Sequence, residues 1–214
     1  MTIELTAAVD AGRARSNNED SVATDDAVAL AVLADGMGGY NAGEVASGMA
    51  TAFIASELAR WLAHVGQDAQ SKDIQRAMHI CVDNANKSIF NAANSNPQYA
   101  GMGTTLVVGV FHDSRLILGH IGDSRCYRFR GGELTQMTRD HSLLQEQMDA
   151  GLITAEHAAT SQNKNLVTRA LGVDESVQLE VNEHKLELDD IYLMCSDGLT
   201  DMVDDTVISQ ILAD

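Results

Sequence analysis

Residues 104–130 read TTLVVGVFHDSRLILGHIGDSRCYRFR. Three apolar runs stand in that stretch, Thr104 to Phe111, Arg115 to Ile121 and Cys126 to Arg130, and they read as successive strands. Asp113-Ser114 and Asp123-Ser124 supply the turns between them, and Gly131-Gly132 supplies the next turn. Upstream of this meander the pattern is helical. From Ala42 to His64, the residues Val45, Met49, Phe53, Ile54, Leu58, Trp61 and Leu62 recur at spacings of three and four. A second helix is predicted from Ser71 to about Ala93, with Ile74, Met78, Val82, Ile89 and Phe90 inward, and the Asn-rich stretch Asn91 to Pro97 breaks it. Strands are also expected at Thr2–Val9, Ala27–Ala34, Val177–Leu186 and Asp190–Cys195, short helices at Ser142–Ala150 and Thr154–Ala159, and a terminal helix at Asp204–Leu212. Strands and helices thus come in blocks rather than in strict alternation. That argues against a doubly wound parallel sheet and for an α+β fold, a mostly antiparallel sheet covered by helices.

The chain has 214 residues, enough for one substantial domain, and no low-complexity linker divides it. A net charge of −17 repels nucleic acid and anionic membrane, so neither is an expected partner. The three cysteines, Cys81, Cys126 and Cys195, show no zinc spacing and suit a reducing, cytoplasmic setting. No signal-like N-terminus and no membrane-length apolar run is present.

Four acidic motifs lie far apart: Asn17-Asn18-Glu19-Asp20, Asp35-Gly36-Met37-Gly38-Gly39, Gly122-Asp123-Ser124-Arg125 and Ser196-Asp197-Gly198. The last three each follow an apolar run, so strand ends deliver their carboxylates. Clustered carboxylates repel one another unless protons or cations neutralise them. An oxygen-only donor set suits hard divalent cations such as Mg2+ or Mn2+. Each motif also has a plainer reading. Asp35 fits a solvated Gly-rich turn, Asp123 a hairpin turn with a local ion pair, and Asp197 a helix cap. Asp201 fits a cap or an outer-shell group, Ser16 to Glu19 a helix start, and Arg15 a surface ion pair or a bidentate phosphate grip.

In order along the chain, eight stretches resemble the metal-dependent protein phosphatase family (PPM, the type 2C serine/threonine phosphatases) in its compact bacterial form. They are Gly12 to Ser21, Ala34 to Gly39, Asn41 to Glu44, Met102 to Leu106, Gly122 to Arg125, Thr138 to Ser142, Thr168 to Gly172 and Ser196 to Leu199. The resemblance implies an αββα sandwich of two mainly antiparallel sheets flanked by helices on both outer faces, formed as one domain over residues 1–214 with a flap at about 141–168. It implies two or three Mn2+ or Mg2+ ions. Asp35 bridges two of them, the Gly36 carbonyl binds one and Asp197 the other. Asp20 acts directly or through water with Glu19 as its neighbour, and Asp123 joins Asp197 at a third position. It implies that Arg15 grips the substrate phosphate while metal-activated water attacks phosphoserine or phosphothreonine in line, with no phosphoenzyme. The implied partners are phosphorylated proteins made by a cognate serine/threonine kinase.

Two departures stand out. Many members carry a His where this chain has Tyr40, which shifts protonation of the leaving group to a metal-bound water. The family's later Gly-x-Asp-Asn segment and following strand do not occur in these residues, so a C-terminal strand and one ligand beside Asp197 are expected to be missing. Two alternatives to a protein phosphatase therefore accompany it: a non-catalytic phosphoprotein-binding or regulatory module on the same fold, and an enzyme of small phosphomonoesters.

Overall fold

Periodicity of two sets the sheets, and helical periodicity sets the layer that covers one of them. The structure is a computed structural model that describes residues 2–13, 17–38, 42–159, 161 and 166–213. Its strands are β1 (Asp20–Asp25), β2 (Leu30–Met37), β3 (Gly103–Thr104), β4 (Leu106–His112), β5 (Arg115–Ile121), β6 (Arg125–Arg130), β7 (Glu133–Gln136), β8 (Glu180–Lys185) and β9 (Ile191–Cys195). Its α-helices are α1 (Ala42–Val65), α2 (Ser71–Ser95), α3 (Leu143–Asp149), α4 (Ala155–Ala159), α5 (Asp197–Thr200) and α6 (Asp205–Ala213). One sheet runs β1-β2-β4-β5-β8 with β3 on β2, and the other runs β7-β6-β9. Every pairing between these strands is antiparallel.

Alternate residues of β4 and β5 go to opposite sides of the larger sheet. Leu106, Val108, Val110, Ile117 and Ile121 join the core formed with α1 and α2. Val107, Leu116 and Leu118 join Cys126 of β6 in a second core, between the sheets. Phe111 and Tyr192 meet there edge to face, with centroids 5.8 Å apart. Met194 fills the space that the missing side chain of Gly109 leaves open. The sheets therefore pack face to face, as the sandwich reading requires, and α6 lies on the side of β7.

The differences from expectation have physical causes. Thr2–Val9 forms no strand; its alternation is weak, and no described strand pairs with it. Asn17 to Glu19 start no helix but lead into β1. Asp35-Gly36 is not a turn: β2 continues through Met37 because β3, at Gly103–Thr104, pairs with Met37 and Gly36 across a long connection. The buried row of α1 is Ala46, Ala50, Ile54, Leu58 and Leu62, with Val45, Met49, Phe53 and Trp61 flanking it. Small residues at the start of that row let α1 approach β1 and β2 closely. No helix among the described residues is long and apolar enough to cross a membrane.

Candidate active site

Asp20 and Asp35 are brought side by side by register: Asp20 opens β1 directly opposite Asp35 on β2. Opposed residues of an antiparallel pair point to the same face, with Cβ atoms about 5 Å apart. The row of Asp35 is that of Leu33, which faces Val107 of the inter-sheet core, so both carboxylates lie at one end of the space between the sheets. The turn from β5 to β6 carries Asp123 to the same end, and the step from β9 into α5 carries Asp197 there.

Electrostatics reports that convergence. Burial, then the charges of Asp20 and Asp197, a hydrogen bond with Asp20 and the charge of Asp123 push the Asp35 carboxyl up to about 8. Burial, followed by the charge of Asp197, pushes Asp123 up to about 6. Four carboxylates thus share one half-buried region, and two of them, Asp35 and Asp123, hold protons there at a pH where free carboxylates have none. That donor set fits hard divalent cations, which would replace the protons.

The backbone around Asp35 is held by groups whose importance the sequence does not advertise. Asp35 N–H donates to Thr105 Oγ1 at 2.9 Å, and the Asp35 carbonyl accepts from Thr105 N–H at 2.9 Å and Thr104 Oγ1 at 2.8 Å. Ser196 Oγ donates to Asp20 Oδ2 at 2.9 Å, and Ser47 Oγ donates to the Glu19 carbonyl at 2.6 Å. Gly36 N–H donates to that same carbonyl at 3.0 Å. A Cβ on Gly36 would stand 2.0 Å from the Gly43 carbonyl oxygen, so only glycine lets β2 and the start of α1 come this close. Thr104 and Thr105 stand in the Met102 to Leu106 motif, Gly36 in Ala34 to Gly39, Gly43 in Asn41 to Glu44 and Ser196 in Ser196 to Leu199, while Ser47 stands in none, and Ser and Thr carry no distinctive chemistry of their own.

Other expectations resolve individually. Asp201 caps the C-terminus of α5, exposed, its N–H donating to the Asp197 carbonyl at 2.8 Å; it fits the capping role. Arg125 pairs not with neighbouring Asp123 but with Asp140, Nε donating to Oδ1 at 3.0 Å and Nη2 to Oδ2 at 2.6 Å. That pair explains Asp140 in the Thr138 to Ser142 motif, where Thr138 Oγ1 also accepts Cys126 N–H at 3.1 Å and Ser142 caps α3. Arg15 and Tyr40 lie outside the described residues. All three cysteines are buried and free; burial pushes Cys81 up to about 11 and Cys126 and Cys195 up to about 12, which leaves no thiolate nucleophile. A concavity of about 650 Å³ lies at the opposite end of the sandwich, lined by Asp26, Val28, Leu62, Phe111 and His112, and none of the four carboxylates reaches it.

The model of the family described as "Protein phosphatase 2C" matches residues 11–214. The chain belongs to that family. Among type 2C relatives, the serine/threonine protein phosphatase PstP of Mycobacterium tuberculosis is 40% identical over 212 residues, 99% of this chain and 39% of PstP. The chain thus spans about two fifths of PstP's length. The serine/threonine phosphatase stp of Listeria monocytogenes is 36% identical over 206 residues, 95% of this chain and 80% of stp. Among solved structures of the type 2C family, the catalytic domain of PstP in complex with 2 manganese ions superposes with a TM-score of 0.80 at 41% identity, covering 96% of this chain and 82% of that one. The αββα architecture read from the sequence is therefore the fold of the family.

Proposed function

We propose that this chain hydrolyses phosphoserine and phosphothreonine in proteins with the help of two or three divalent cations, Mn2+ or Mg2+. One observation carries the reading: four carboxylates from distant segments converge in one half-buried region, where burial and then the charges of Asp20, Asp197 and Asp123 push Asp35 up to about 8. Asp35 would bridge two cations, with the Gly36 carbonyl on one and Asp197 on the other. Asp20 would hold its cation directly or through water, Asp123 would serve a third position with Asp197, and Glu19 and Asp201 would stay in the outer shell. When bound, the cations supply a water of lowered pKa as nucleophile and neutralise charge on the phosphoryl oxygens. The chain's own residues orient the site. Thr104 and Thr105 fix the Asp35 peptide, Ser196 orients the Asp20 carboxylate, and Arg15 is assigned to the phosphate. The segment at 141–168 is assigned as a flap of the single domain.

The names of the relatives support phosphoproteins as substrates. To that reading we add a signalling role opposite a serine/threonine kinase in a bacterial cytoplasm. The test is hydrolysis of p-nitrophenyl phosphate and of a phosphothreonine peptide, with Mn2+ and with a chelator. Mn2+-dependent turnover of both is the expected result. Turnover of the small ester alone would leave a general phosphomonoesterase. Mn2+ binding without any turnover would leave the non-catalytic module, and neither would overturn the metal reading.

A further inference from the structure

Outside the carboxylate centre, ligand atoms of His120, His141 and Glu180 lie within 4.8 Å of one another, a spacing that suits a transition metal. Hydrogen bonding argues for another role. His141 Nδ1 accepts Gly122 N–H at 3.1 Å, so the neutral ring carries its proton on Nε2, which faces Glu180 Oε2 at 3.3 Å. A protonated nitrogen has no lone pair for a metal. Arg169 Nη1 stands 3.2 Å from that nitrogen and adds a positive charge. The two imidazoles stack at 4.6 Å with planes 10° apart, so their in-plane lone pairs do not converge. His120 is itself held by Nε2 donating to the Arg139 carbonyl at 2.8 Å.

We infer that His141 is a positioning residue that fixes the Asp123 turn and ties it to the flap base. His141 grips both polar groups of Gly122: its N–H donates to the Gly122 carbonyl at 2.9 Å while its ring accepts the Gly122 N–H. Gly122 sits at φ +100°, and a Cβ there would stand 2.7 Å from Thr105 Cγ2, so the peptide is wedged between Thr105 and His141. Thr105 also holds Asp35 N–H and contacts Ser124 Oγ at 2.7 Å. A chain of contacts thus runs from His141 through Gly122 and Thr105 to Asp35, with Asp123 next to its middle link. On the outer side, the His141 carbonyl accepts Thr168 N–H at 2.8 Å, and Ser142 bridges Val167. The two ends of the segment between Ser142 and Val167 therefore meet at the residue that clamps Gly122.

This inference rests on Asp123 acting as a cation ligand, and its test separates the two claims. His141→Leu removes the ring acceptor. His141→Asn keeps one, because Asn Oδ1 stands as many bonds from the backbone as His Nδ1. The measurements are Mn2+ binding by calorimetry without substrate, exchange of the Gly122 amide in metal-free protein, and KM against kcat for p-nitrophenyl phosphate. His141→Leu is expected to weaken the Mn2+ step that involves Asp123 by about 10–100-fold, the usual effect of removing an outer-shell partner. It should also speed Gly122 exchange and lower kcat more than it raises KM, and His141→Asn should restore most of each. If His141→Leu does not fold, His141→Gln takes its place, its amide one bond too far out for Gly122. Unchanged Mn2+ binding in the Leu variant, or an Asn variant as impaired as the Leu one, would overturn the positioning role. Failure of the wild-type chain to bind Mn2+ would instead sink the metal reading, and Gly122 exchange would then decide the clamp alone.

Discussion

Asp35→Asn should stabilise the metal-free protein while abolishing its response to metal. Between pH 3.8 and about 8, folded Asp35 keeps a proton that the unfolded chain releases. The stability tied to that proton is fully present below 3.8 and is lost as pH rises to about 8. One pKa unit is worth about 1.4 kcal/mol, so holding the proton at pH 7 costs the fold at most about 4 kcal/mol. Partial solvent access and relaxation of neighbouring carboxylates reduce this to about 2 kcal/mol. Asparagine removes the cost, because its amide donates to Asp20 without needing a proton. For a chain of this size about 2 kcal/mol raises the melting temperature by roughly 4–8 °C. The assay is thermal unfolding in chelator from pH 4 to 9, repeated with Mn2+. The gap between variant and wild type should vanish near pH 4 and widen towards pH 8. With Mn2+ the wild type should overtake the variant, since cations that bind only the folded state stabilise it. Turnover by the variant should be absent. A variant that melts lower in chelator at pH 8, or a gap that ignores pH, would refute the account of four mutually repelling carboxylates.

Further outcomes follow from the same contacts. Gly36→Ala drives a methyl into the Gly43 carbonyl and should cost about 3 kcal/mol or more by urea denaturation; a cost under about 1 kcal/mol would mean that β2 and α1 separate freely. Asn86→Leu strips partners from the Gly172 amide, 2.7 Å away, and from the Asp174 and Glu175 carbonyls, and should cost about 2–4 kcal/mol in the same assay. Arg125→Lys loses the forked pairing with Asp140 and the bond to Tyr127 and should cost about 1–3 kcal/mol, whereas a merely electrostatic pair would tolerate it.

Elements with strong periodicity were legible. The meander of β4 to β6 and the helices α1 and α2 declare themselves through apolar spacing, and Asn96 beside Pro97 marks the end of α2. β1 was not legible, because Asp20 to Asp25 is short and polar and gains its strand state from pairing with β2. The inner face of α1 was read through its large residues, although close packing on the sheet selects Ala46 and Ala50. Asp35, Asp123 and Asp197 stood out in the sequence because charge next to glycine after an apolar run is unusual. Their supports did not, since Thr104, Thr105, Ser47 and Ser196 act through contacts between segments as much as 176 residues apart in sequence. His141 stood in a recognised motif, yet its grip on Gly122 depends on a turn nineteen residues away.

The central claim is that the carboxylates of β1, β2, the β5–β6 turn and α5 form one cation centre. An anomalous difference map from a crystal grown in Mn2+ and measured at the manganese edge tests it most directly. The account predicts peaks within coordination distance of Asp35, shared with Asp20 and Asp197, and none between His120, His141 and Glu180. A map empty at Asp35, or a peak at the histidine pair instead, would contradict it.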